Sequence, residues 1–261
     1  MFKSILPLLF LLFTISAHAS VKTSEIVYQV GDTEFTGFLA FDDAISNKRP
    51  AILVLHEWWG HNAYARKRAE MLAALGYTAF ALDMYGSGKV ADHPEDAKAF
   101  MLAATRDSTV VQKRFQAALD ILLQHPSVNR EKTAAIGYCM GGGIVLNMAR
   151  AGADLDGFAI FHGSLGSEKP VKAGQIKAEI MVFTGAADPF VPAAQVQTFE
   201  QEMKSAGVIY SLKSYQGVKH SFTNPEADGF AKRFGMPVAY DKAADEDSWQ
   251  QMQNFFQRIF R

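Results

Sequence analysis

Only one cysteine, Cys139, occurs in the sequence, so no internal disulfide can staple the fold. Stability must come from an apolar core, and an unpaired thiol needs a chemical reason to be there. There is no excess of charge of either sign. Lys and Arg total 26 against 27 Asp and Glu, a formal net charge of −1, and no basic run occurs. Nucleic acid and anionic membrane surfaces are therefore not expected partners. Internal repeats and low-complexity linkers are lacking too, and the apolar stretch Ile5 to Ile15 is too short to span a bilayer.

That stretch has another reading. Lys3 supplies a positive start, Ile5 to Ile15 an apolar core, and Ala17-His18-Ala19 an A-x-A cleavage site before Ser20. Residues 1–19 are expected to be a cleavable signal peptide rather than a retained anchor, and the mature protein to be periplasmic or secreted. No cysteine follows the apolar run, which argues against a lipid-anchored form. Residues 20–261, in a chain 49% hydrophobic, suffice for one large α/β domain with its own core. No membrane association after cleavage and no partner subunit are expected. A thiol exported to an oxidising compartment is a liability unless it acts as a nucleophile.

The residues around Cys139 support that role. The apolar run Thr133-Ala134-Ala135-Ile136 leads into Gly137-Tyr138-Cys139-Met140-Gly141-Gly142 and then into the apolar stretch Ile144 to Arg150. This is strand, tight turn and helix, with the G-x-C-x-G pattern of a nucleophile elbow in which cysteine replaces serine. The turn strains the nucleophile, so its neighbours must be nearly free of side chain. It also sets the sulfur at a helix N-terminus, where unpaired N–H groups favour negative charge. The competing reading is a small, inert, buried cysteine.

Elsewhere the chain alternates strand and helix. Glu25 to Val30 and Glu34 to Phe41 read as an edge hairpin about Gly31-Asp32. Ala51 to Leu55 reads as a parallel strand buried on both faces, and it empties into His56-Glu57-Trp58-Trp59-Gly60-His61. In an α/β-hydrolase this loop gives one backbone N–H to the oxyanion hole and the residue after the nucleophile gives the other, which assigns Trp58 and Met140. Glu57, a carboxylate among tryptophans, must find partners or take up a proton; the alternative is a solvated loop acid. Helices are read over Arg66 to Leu75, Pro94 to Ala104, Ser108 to Leu123, Pro192 to Ala206 and, at the end of the chain, within Asp241 to Phe260. His93 and His125 read as surface caps beside proline. Further strands run over Thr78 to Leu82, Gly157 to Phe161, Glu179 to Thr184 and Val208 to Ser214, and the segment from His220 to Asp241 reads as loop.

Three residue types then fall in order after successive strands: Cys139, Asp188 before Pro189, and His220 on the loop past the last strand. Nucleophile, acid, base is the α/β-hydrolase order, unlike that of trypsin-like or subtilisin-like enzymes. Each alone is a weak sign, but strand ends of this fold share one face. Tyr85, Trp59, His162 and Ser221, all on such loops, are the candidate substrate-binding residues, and Ser164 reads as pocket lining or plain loop.

Through His56-Glu57-Trp58-Trp59-Gly60, Asp83-Met84-Tyr85, Gly137-Tyr138-Cys139-Met140-Gly141-Gly142, Gly185-Ala186-Ala187-Asp188 and His220-Ser221-Phe222, the sequence resembles the dienelactone hydrolase family over nearly all of residues 20–261. The resemblance implies a Cys-His-Asp triad, no cofactor or metal, and hydrolysis of a small-molecule lactone or ester. It also implies that Glu57 pairs with the resting thiol and takes its proton when substrate displaces the pair. The sequence departs from the family's best-known members where arginines hold a substrate carboxylate. Those neighbourhoods here read Gly86-Ser87-Gly88 and Thr223-Asn224-Pro225, with Lys89 and Lys219 the nearest basic residues. A substrate other than a dienelactone is therefore expected. A non-catalytic binding or redox-sensing protein on the same fold is the alternative, which Asp188 and His220 argue against because a binder has no need of them.

Overall fold

The computed structural model describes residues 20–167 and 169–261, and the expected signal peptide lies outside them. Eight strands form one sheet: β1 (Val21–Val30), β2 (Thr33–Asp42), β3 (Arg49–Leu55), β4 (Thr78–Leu82), β5 (Val128–Tyr138), β6 (Gly157–Phe161), β7 (Glu179–Gly185) and β8 (Tyr210–Tyr215), in the spatial order β1-β2-β4-β3-β5-β6-β7-β8. β1 and β2 pair antiparallel about a turn in which Gly31 takes φ 62°, and β2 joins β4 antiparallel. Every other neighbouring pair is parallel. The expected edge hairpin is present, each arm longer than its apolar pattern indicated because the exposed ends are held by ladder bonds rather than burial.

The parallel strands are short and apolar because both faces are covered. In β3, Ala51, Leu53 and Leu55 pack toward one layer, while Ile52 and Val54 pack toward the other. The first layer contains α3 (Ser108–Gln124), α4 (Met140–Arg150) and α5 (Ala193–Ala206); the second contains α1 (Ala63–Ala74) and α7 (Lys242–Ile259). In α3, Val111, Phe115, Ala118 and Leu122 form the buried stripe that their spacing predicts.

α1 starts three residues before the expected Arg66 because the Asn62 side chain accepts from the Tyr64 N–H and caps it. α2 (Pro94–Thr105) starts at the proline, with the His93 ring as N-cap acceptor, while His125 caps the end of α3. α6 (Ala227–Phe234) was expected to be loop. It is eight residues long with Ala227 alone fully buried, and its seat is Trp59, whose indole stacks on Phe230 at 4.3 Å and Phe234 at 6.2 Å. Two aromatics four residues apart are a helical spacing, but too few to set a period.

Candidate active site

The turn from β5 to α4 carries Cys139 at φ 52°, ψ −117°, a conformation a non-glycine residue holds only under constraint. The constraint is visible. A Cβ on Gly137 would run into the Gly141 backbone, and one on Gly141 would lie 2.5 Å from the Leu55 carbonyl oxygen. Only glycine lets α4 start this close to β3 and β5. The Cys139 N–H is shared between the Phe161 carbonyl at 3.0 Å and His162 Nδ1 at 3.1 Å.

β7 ends at Gly185, and the turn that follows buries Asp188. Its Oδ2 accepts from His220 Nδ1 at 2.7 Å, while Oδ1 accepts from the Phe190 N–H at 2.8 Å. His220 lies past β8 on a loop tethered to Val238. Its Nδ1–H is committed to Asp188, which leaves Nε2 for the cavity, where Cys139 also lies. Burial alone would lower the His220 pKa. The adjacent Cys139 sulfur, then the Asp188 hydrogen bond and charge, outweigh burial and push it up to about 10.

The loop after β3 is held at two levels. His56 Nδ1 donates to the Glu57 carbonyl at 2.5 Å and His56 Nε2 accepts from the Met84 N–H at 3.1 Å, so one buried ring ties this loop to the loop after β4. The Tyr85 hydroxyl donates to the Trp58 carbonyl at 2.8 Å and lies 3.1 Å from the Met140 sulfur. Among the described residues, neither the Trp58 nor the Met140 N–H is spent on a hydrogen bond. Both residues face the cavity that Cys139 lines.

Glu57 is 2% exposed. Its Oε1 accepts from the Ser221 hydroxyl at 2.9 Å and its Oε2 from Asn224 Nδ2 at 2.6 Å. Burial raises its carboxyl above the usual range, against the pull of those two hydrogen bonds and of the His220 and Arg68 charges. It is not a solvated loop acid. Its hydrogen bonds go to the histidine loop rather than to the Cys139 thiol.

The cavity at the strand ends has a volume of about 350 Å³. Trp58, Met101, Met140, Ile144, Phe190 and Met236 supply most of its apolar wall, and Ser164 and Ser221 lie at its polar side. Among the described residues, no lysine or arginine lines it. Lys89 and Lys219 are exposed elsewhere, Ser87 bonds Thr36 at 2.8 Å, and Asn224 is taken by Glu57.

Of the four candidate substrate-binding residues, only Ser221 is in the wall. Trp59 is drawn away by its stacking on α6, and Tyr85 supports the Trp58 peptide from below. His162 is fully buried beneath the elbow. The reason is common to all three: a loop at a strand end has an inner side, and large aromatic rings are sequestered there. His56, Thr223 and Asn224 had no role read from sequence, although each lies within four residues of a residue singled out.

Comparison with known proteins agrees with this fold. Residues 35–260 match the model of the dienelactone hydrolase family. Two solved structures superpose with a TM-score of 0.86, each covering 92% of this chain and 99% of its own: m3DLH, at 36% identity, and a dienelactone hydrolase-like promiscuous phosphotriesterase from metagenomic libraries, at 34%. Carboxymethylenebutenolidase of Pseudomonas putida is 28% identical over 189 residues, 69% of this chain and 78% of that enzyme. By family match, sheet order and elbow together, this chain belongs to the dienelactone hydrolase family and is an ester/lactone hydrolase of the α/β-hydrolase fold.

Proposed function

We propose that the protein hydrolyses uncharged lactones or small activated esters through a Cys139-His220-Asp188 triad and a thioester intermediate. The observation that carries this reading is the strained Cys139 sharing one apolar cavity with a histidine whose far nitrogen is bonded to a buried aspartate. The Cys139 thiolate attacks the carbonyl carbon, a C–S bond forms, and the displaced electron pair moves to oxygen. The Trp58 and Met140 N–H groups hold that oxyanion; one such donor typically contributes about 3 kcal/mol. The intermediate collapses, the C–O bond breaks, and the imidazolium of His220 protonates the leaving alkoxide. In a lactone that alcohol remains tethered to the acyl group. Neutral His220 then takes a proton from water, hydroxide adds to the thioester, and the acid departs as thiolate is restored. Asp188 fixes the tautomer throughout.

With His220 already charged by a proton from solvent, Glu57 is the proposed acceptor of the thiol proton, so that sulfur becomes thiolate without discharging the imidazolium that the leaving alkoxide needs. Burial favours the protonated acid, and a neutral Glu57 next to Trp58 does not oppose the developing oxyanion.

The test is rapid-quench mass spectrometry with a chromogenic ester. An acyl adduct on Cys139, and loss of turnover in Cys139→Ala, are expected; full hydrolysis by that variant would falsify the triad. The product is proposed to form outside the cytoplasm, which an N-terminus at Ser20 in a periplasmic or culture fraction would bear out.

A second substrate class has specific support. Apart from Cys139 and His220 themselves, the cavity offers neutral walls to a neutral phosphotriester, and the relative at 34% identity is described as a promiscuous phosphotriesterase. Attack on phosphorus would form a P–S bond and expel an aryloxide. Release of nitrophenol from diethyl 4-nitrophenyl phosphate by the native protein and not by Cys139→Ala is the expected result.

A further inference from the structure

His162 is the histidine that the chemistry above leaves unused. It is fully buried and holds φ 40° at the end of β6, so two strained residues, Cys139 and His162, meet across adjacent strands. Its ring bonds at both nitrogens. Nδ1 is 3.1 Å from the Cys139 amide nitrogen and Nε2 is 2.7 Å from the Thr223 hydroxyl.

The roles at each end follow from the partners. An amide N–H can only donate, so Nδ1 must accept, the proton must sit on Nε2, and Nε2–H donates to Thr223 Oγ1. An imidazolium would have no lone pair for the Cys139 amide. Burial first, then the nearby His220 and Arg68 charges, hold the His162 pKa well below its ordinary value, so the ring is neutral.

Thr223 is itself fixed. Its hydroxyl also bonds the Tyr64 hydroxyl at 2.6 Å, and its carbonyl accepts from Arg68 Nη2 at 2.6 Å. Arg68 is paired in turn with Asp245 at 2.6 Å. The His220 loop is thereby anchored at Thr223, three residues beyond the histidine. The elbow and that loop belong to different parts of the chain, and the His162 ring is a side-chain bridge that bonds both.

We infer that His162 is a positioning residue for the triad: it ties the amide of Cys139 to the hydroxyl of Thr223 and so sets the sulfur against the imidazole of His220. The inference rests on the assignment of Cys139 and His220 as nucleophile and base. Its physical basis is that a left-handed cysteine is costly and persists only where its surroundings over-determine it. Misplacement of reacting groups by about 1 Å is enough to slow chemistry on the order of a hundredfold.

The test compares His162→Leu with His162→Asn. Leucine removes both bonds. Asparagine tolerates positive φ and puts an acceptor near the position of Nδ1, so it restores the bond to Cys139. For a neutral chromogenic ester, His162→Leu should lower kcat about tenfold to a hundredfold with KM within about twofold, and slow iodoacetamide alkylation of Cys139 in parallel. His162→Asn should recover most of both losses.

Equal losses in the two variants, or native kcat and alkylation in a folded His162→Leu, would overturn the inference. Should leucine prevent folding, Thr223→Val breaks the tie at its other end, and a native kcat in that variant overturns the inference as well. Cys139→Ala run alongside separates the two levels: hydrolysis by it refutes the triad itself, whereas an inactive Cys139→Ala with a native His162→Leu refutes only the role of His162.

Discussion

Glu57 is held between two tendencies of its site. Burial favours its acid form, while Ser221 and Asn224 donate to both oxygens and favour the carboxylate. Burial prevails, and the carboxyl is pushed above its usual range. Glu57→Gln keeps the shape but cannot accept a proton, and it should slow acylation while the thioester hydrolyses at close to the native rate. Stopped-flow measurement resolves the two steps, and an unchanged acylation rate would count against proton transfer. His220 gives a second expectation. Its folded pKa is raised, so the charged ring stabilises the fold fully below the ordinary histidine value of about 6.5. That contribution is lost as pH rises through about 10. In the proposed mechanism the imidazolium is also the acid that protonates the leaving alkoxide, so kcat/KM for an alkyl ester should fall over the same range. A plot that turns down near pH 7 would contradict the pairing with Cys139. Replacing Asp188 by alanine should lower kcat at least about a hundredfold with the fold intact by circular dichroism.

Among the elements, the elbow turn tolerates little change. Gly141→Ala would place a methyl group 2.5 Å from the Leu55 oxygen and 2.6 Å from that of His56. Backbone must move on one side, and the loop after β3 carries Trp58. A loss of about 1–3 kcal/mol in urea unfolding is expected, together with lowered kcat. That turn was legible in sequence because glycine spacing between an apolar strand and an apolar helix has few other meanings. The order Cys139, Asp188, His220 was legible for a similar reason, since strand ends of a parallel sheet share an edge. What joins those ends was not legible. Ser221 and Asn224 reach Glu57 across more than 160 positions of sequence, and no local pattern records such a contact. Nor did Trp59, Tyr85 or His162 show by position alone which side of a loop they would take.

At the scale of the whole molecule, the cavity selects by charge. A substrate carboxylate brought into its apolar wall would be desolvated with no lysine or arginine to receive it. Uncharged aryl esters and lactones should show kcat/KM at least about tenfold above their carboxylate-bearing analogues. The reverse order would mean that the charged His220, or a cation from elsewhere, receives the carboxylate. One further property belongs to the molecule as a whole. Its lone sulfhydryl lines the cavity beside His220. If Cys139 is the nucleophile proposed above, the thiol content of a folded preparation sets an upper bound on its active centres, with no engineering needed. A disulfide-linked pair of chains could be joined only through Cys139, so covalent dimerisation under oxidising conditions would double the mass, abolish the proposed hydrolysis and be reversed by reductant.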